Sequence, residues 1–145
     1  MKLRYEHLVG IEYKHGSADC YGLIRRFYKD NFGLELRNYA RPSDWWNTDL
    51  SLYQLNYHKE GFRPLDVHPT EWRPADLILM AVRSKAVNHS AVLLENGKIL
   101  HHAPGRFSVV ETYSGVWRNL TCGILRHKDI QVDMTPEKVD ARSLL

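Results

Sequence analysis

Cys20 stands in the stretch of this chain richest in chemical potential, Ser17-Ala18-Asp19-Cys20-Tyr21-Gly22-Leu23. The residues that follow read as a helix, so the thiol would sit in a helix's first turn. There it meets unsatisfied backbone N–H groups and the positive end of the helix dipole. Both favour thiolate over thiol, and the thiolate is the nucleophile. Imidazoles come much later, in Asn88-His89-Ser90-Ala91-Val92 and in Ile99-Leu100-His101-His102. An early cysteine with histidines on later elements is the pattern of a cysteine hydrolase: one ring takes the thiol proton and a third polar group orients that ring. The same side chains are also donor types for Zn²⁺ with an open position, although no acidic ligand or compact spacing supports that reading.

These residues need elements to hold them. Cys20, Leu23, Ile24, Phe27 and Tyr28 fall on one face of a helix, with Asp19 or Ser17 able to cap its start and Gly33 able to end it. A short helix is expected over residues 5–10. A second, aromatic-rich helix is expected over 42–60, from Pro42-Ser43-Asp44 through Trp45, Trp46, Tyr53 and Tyr57. From residue 62 the pattern turns to strands. Pro64 marks an extended segment over 62–68, and residues 77–82 read as a buried strand. Residues 89–94 and 98–102 read as a hairpin closed at Asn96-Gly97, a pair that readily takes the positive φ of a two-residue turn. That turn would set His89 opposite Pro104. Further strands are expected over 107–112 and 122–126, the latter hiding Cys122 as an inert buried thiol. Because side chains alternate along a strand, only one of His101 and His102 can share a face with His89.

The whole is an α+β domain, N-terminal helices on an antiparallel sheet of five to six strands, over residues 1–127. Residues 128–145 read as a polar arm. With 145 residues the chain can bury one core. No apolar run approaches the roughly 18–20 residues of a membrane span, so no membrane insertion is expected. The N-terminus is too polar for a secretory signal, so synthesis in the cytoplasm is expected. A net charge of +3 from scattered, interleaved residues argues against nucleic acid as a partner. Two cysteines make no disulfide framework.

Five blocks together resemble the NlpC/P60 family of papain-like cysteine peptidases, in the form encoded among bacteriophage tail-assembly genes. Asp19-Cys20-Tyr21-Gly22-Leu23 matches the family's nucleophile motif, and Tyr13 with Gly16 resembles the stretch before it, with a shorter loop to the cysteine. Pro74-Ala75-Asp76 resembles a Pro-Gly-Asp turn with alanine in the glycine's place. His89-Ser90-Ala91-Val92 and Gly97-Lys98-Ile99-Leu100-His101 match the two histidine segments. The resemblance implies a papain-like NlpC/P60 fold with Cys20 as nucleophile, His89 as general base and acid, and His101 as the orienting group; His102 is the less favoured third member. Cys20 N–H and Tyr13 would contact the oxyanion or substrate. The implied substrate is the peptidoglycan stem peptide, cut next to a γ-D-glutamyl residue without metal or organic cofactor. The implied setting is a virion tail tip with other tail proteins as partners. The alternative is a structural tail-assembly protein built on an inactive or latent peptidase fold.

Overall fold

The helix expected at Cys20 runs Cys20–Phe32 (α1) in a computed structural model, which describes residues 2–41 and 51–130. Asp19, not Ser17, caps it: its carboxylate accepts the Gly22 N–H at 2.8 Å. Gly33 ends it at φ 68°, a left-handed conformation that glycine adopts without steric cost. The expected helix over 5–10 is a single 3₁₀ turn, Glu6–Leu8. Of the aromatic-rich helix, the described part is Leu52–Asn56 (α2), capped by Ser51; residues 42–50 lie outside the described residues. Val116–Leu120 (α3) has no counterpart in the sequence reading, because a five-residue helix carries too little periodicity to show.

Among the described residues six strands follow: Phe62–Pro64 (β1), Leu77–Met80 (β2), His89–Leu93 (β3), Lys98–His101 (β4), Val109–Thr112 (β5) and Thr121–His127 (β6). They form one antiparallel sheet in the order β1-β6-β2-β3-β4-β5. The helix α1 covers one face, where Leu23, Phe27, Leu79, Val92 and Leu100 meet. Phe27 and Tyr28 are fully buried there, and burial of a side chain of that size contributes roughly 1.5–3 kcal/mol. Ile78, Met80, Ala91, Leu93 and Ile99 line the opposite face, against Trp117 and Leu120. Ile130 still packs into the α1-side core, and residues 131–145 lie outside the described residues.

Two expectations need correction. The hairpin loop holds three residues, Glu95–Gly97, with both Asn96 and Gly97 at positive φ. The ladder therefore pairs Ala91 with His101 and Val92 with Leu100, one residue away from the register of a two-residue turn. A slip of one residue exchanges the faces of every side chain. The observed register puts His101 on the face of Ala91 and His89; the two-residue turn would have put His102 there. Cys122 is exposed, not buried. The β2–β6 register shifts between Leu79, paired with Gly123, and Met80, paired with Thr121, so Cys122 is the extra residue of a bulge.

Gly22 is required by space. A Cβ on it would lie 1.8 Å from the Ser17 carbonyl oxygen, which belongs to the tight turn before α1. Gly22→Ala is expected to cost about 3 kcal/mol by overpacking, read as a lower urea midpoint. Gly123→Ala has open space around it and serves as the unaffected control. Equal midpoints for the two variants would refute this account.

Candidate active site

Asp19 anchors the loop that delivers Cys20. Its Oδ1 caps α1, while its Oδ2 accepts the Gly16 N–H at 3.0 Å and the Arg41 Nε–H at 2.6 Å. The Asp19–Arg41 pair is buried, 1% exposed at each side chain. Removing one partner of such a pair leaves the other charge uncompensated. The aspartate before the cysteine is thus a structural clamp on the first turn.

Cys20 itself is 4% exposed. Its thiol accepts a hydrogen bond from the Tyr53 hydroxyl at 3.1 Å, and that hydroxyl accepts one from Ser90 Oγ at 2.7 Å. Burial pushes the thiol up to about 12; the Tyr53 hydrogen bond opposes this without reversing it. The expectation of a thiolate at the helix start is therefore reversed in this arrangement: loss of hydration outweighs the dipole.

The histidines form a second group. His89 Nε2 lies 2.9 Å from His101 Nδ1, and His101 Nε2 lies 2.6 Å from Glu111 Oε2. Trp117 Nε1–H donates to Glu111 Oε1 at 3.0 Å, and the indole lies edge-on to the His101 ring. Burial lowers the proton affinity of His89 to about 3, with His101 and His102 adding to the effect. Burial likewise lowers His101, against the opposing pull of Glu111. Both rings are therefore neutral near pH 7. Among the described residues, His89 Nδ1 is buried with no hydrogen-bond partner.

The structure thus joins His89 to His101 and gives Cys20 a different partner. Ser90 turns towards Tyr53 and the thiol, while His89, one residue earlier, turns towards His101. One tyrosine hydroxyl separates Cys20 from the residue that follows His89. His102 lies apart from the pair. Its Nε2 bonds the Arg106 carbonyl at 2.8 Å, and its ring meets Tyr13 edge-to-face at 5.3 Å. Tyr13 is half-buried, and burial, with Cys20 and Asp19 nearby, pushes its hydroxyl up to about 12. Among the described residues no group of three or more His, Cys, Asp or Glu side chains is arranged to hold a metal ion.

Sequence reasoning missed Tyr53, Glu111 and Trp117. Tyr53 was visible only as one ring in an aromatic-rich segment. Glu111 carried a faint signal, as the acidic residue interrupting the β5 run Val109-Val110-Glu111. A cavity of about 710 Å³ borders His89, walled by Val82, Pro104, Val116 and Trp117, with Arg83 and Arg106 among its lining. Neither arginine makes an ion pair among the described residues.

The NlpC/P60 family model matches residues 10–126, which contain every one of these groups. The chain belongs to the NlpC/P60 family. It is 35% identical to the tail tip assembly protein K of Escherichia phage N15 over 118 residues, 80% of this chain and 47% of that protein. It is 33% identical to the protein of the same name from Escherichia phage lambda over 122 residues, 84% of this chain and 60% of that protein. The chain thus spans about half the length of the curated relatives it matches. An NLP/P60 family protein of Staphylococcus aureus superposes with a TM-score of 0.55 at 24% identity, covering 83% of this chain and 38% of that one. The architecture is the α+β, papain-like NlpC/P60 fold. Its Pro-Gly-Asp turn gains a physical reason here: Ala75, in the glycine's place, has φ 76°, where an L-residue is strained by roughly 1–2 kcal/mol. The alanine is held by a hydrogen bond from its N–H to Leu93 O and by one from Tyr28 to its carbonyl.

Proposed function

We propose that this protein is a phage tail component carrying a cysteine peptidase that cuts peptidoglycan stem peptides, with its resting site switched off. The observation that carries the reading is the buried His89–His101 pair with His89 Nδ1 unpartnered, in a family whose nucleophile motif is intact at Cys20. The unpartnered nitrogen is the atom able to take a proton; His89 lies on the sheet face opposite α1 and Cys20, so taking it from the thiol requires the resting site to rearrange. The thiolate then attacks the scissile carbonyl and forms a thioester. The His89 imidazolium protonates the departing amine, and water, deprotonated by the same ring, releases the acid. The Cys20 N–H, at the start of α1, is the donor available to the oxyanion. Arg83 and Arg106 beside the His89 cavity suit a stem peptide that carries free carboxylates. The relatives' role in tail tips supports other tail proteins as partners.

A second reading is favoured by one observation, the buried thiol held by Tyr53: the fold serves assembly and stays latent. Digestion of purified peptidoglycan by wild type, Tyr53→Ala and Cys20→Ala, followed by mass spectrometry of the released fragments, separates the two. Cleaved stem peptides from wild type or Tyr53→Ala, absent with Cys20→Ala, are the expected result. Fragments that persist with Cys20→Ala would remove Cys20 from the mechanism. No cleavage by any variant would leave the assembly reading.

A further inference from the structure

We infer that Glu111 is a positioning residue which, through His101, sets the tautomer of His89 and so keeps His89 Nδ1 free of a proton. The kinetic part of this inference rests on the peptidase reading; the tautomer part does not.

The argument follows the protons along one line of atoms. Trp117 Nε1–H can only donate, so Glu111 Oε1 accepts. Burial alone would raise the Glu111 carboxyl, but the hydrogen bonds from His101 and Trp117 outweigh it and hold the group below its usual range. An ionised carboxylate has no proton to give, so the 2.6 Å contact at Oε2 requires a proton on His101 Nε2. A neutral His101 with its proton on Nε2 carries a lone pair on Nδ1. The 2.9 Å contact from His101 Nδ1 to His89 Nε2 then requires the proton on His89 Nε2. Neutral His89 therefore bears its lone pair on Nδ1, the buried atom without a partner.

Without the carboxylate this order lapses. His101 could carry its proton on Nδ1 and donate to His89 Nε2, moving the His89 proton to Nδ1 and removing the base. The register supports the assignment. Glu111 pairs with Ile99, so it shares the face of Ile99 and His101, and the Trp117 indole from α3 fixes its free oxygen. Arg106 also lowers the Glu111 carboxyl by its charge. The titratable groups acting on the relay are thus Glu111, His101, His89, His102 and Arg106.

The test is long-range ¹⁵N–¹H NMR of the imidazole nitrogens in wild type, Glu111→Gln and Glu111→Asp at pH 7, with thermal unfolding to confirm that each variant is folded. Glutamine keeps the shape but has one acceptor atom for two donors, and it adds a donor of its own. Wild type should show one tautomer, protonated at Nε2, for both His89 and His101. Glu111→Gln should show mixed tautomers at His89, and Glu111→Asp should restore the single form. In the digestion assay Glu111→Gln should lower kcat on the order of 10²–10⁴-fold, the scale on which wrong-tautomer imidazoles fail, with KM little changed. A proton on His89 Nδ1 in wild type, or a His89 tautomer indifferent to Glu111→Gln, would overturn the inference. The expected tautomers in a protein that cuts nothing would leave the positioning role standing and sink the peptidase reading instead.

Discussion

Iodoacetamide at pH 7.5 should alkylate Cys122 readily and leave Cys20 almost untouched, with rates that differ by a factor of about 10³ or more. Cys122 lies on an outward bulge, whereas Cys20 is buried. Burial raises the Cys20 thiol from 9.0 to about 12, and each unit removes a factor of about ten in thiolate. Steric cover by the Tyr53 ring adds to that deficit. Two variants separate the ring from its hydroxyl. Tyr53→Ala uncovers the thiol and should speed Cys20 alkylation by at least about tenfold through restored hydration. Tyr53→Phe keeps the cover but removes the hydrogen bond that favours the thiolate, so Cys20 should react no faster than in wild type. Peptide-level mass spectrometry over a time course gives both thiols from one sample, and Cys122 serves as the internal standard. Equal rates at the two cysteines in wild type would show that Cys20 is open, and the resting-off reading would fail with it.

The outcome bears on how much of this site a sequence can display. The elements that carry Cys20, His89 and His101 were legible because each lies in a short run whose local pattern is informative: a capped helix start, a strand start and a strand end. The spacing of the apolar residues gave α1 its buried face, and Asp19 and Gly33 gave it both ends. What the sequence could not display depends on register and on distance. Which histidine joins His89 turns on one extra residue in the Glu95–Gly97 loop, and Asn-Gly is compatible with both turn lengths. The exposure of Cys122 depends on a bulge invisible in an alternating apolar run. Glu111 reaches His101 only because β5 pairs with β4 across the irregular segment 102–108, whose length sets no register by itself. Tyr53 meets Cys20 across a separation of 33 positions, a contact that no local propensity encodes. The state of the thiol was misjudged for the same reason. The helix dipole is a local term read from sequence, while burial is a tertiary one, and in this fold burial is the larger.

Burial of the histidines also predicts that the fold weakens in mild acid. His89 has its proton affinity lowered from 6.5 to about 3 by burial, with His101 and His102 reinforcing it. Burial likewise lowers His101, His102 and His127. A group whose folded value is depressed holds the native state neutral while the unfolded chain takes up a proton. For a histidine, stability is then fully present above the unfolded value near 6.5 and falls as the pH drops towards the folded value. His89 alone should remove about 1.4 kcal/mol per pH unit below 6.5, or about 2 kcal/mol by pH 5. The loss continues until pH nears 3, where the folded ring also protonates. Urea unfolding at intervals from pH 7.5 to 4.5 gives the slope directly. His89→Gln lacks the titrating ring, so its slope should be shallower than that of wild type by about one proton, whatever its absolute stability. Parallel slopes for the two proteins would mean that His89 accepts a proton in the folded state, and a ring that does so near pH 6 could not be the dry, neutral base on which the proposed chemistry depends.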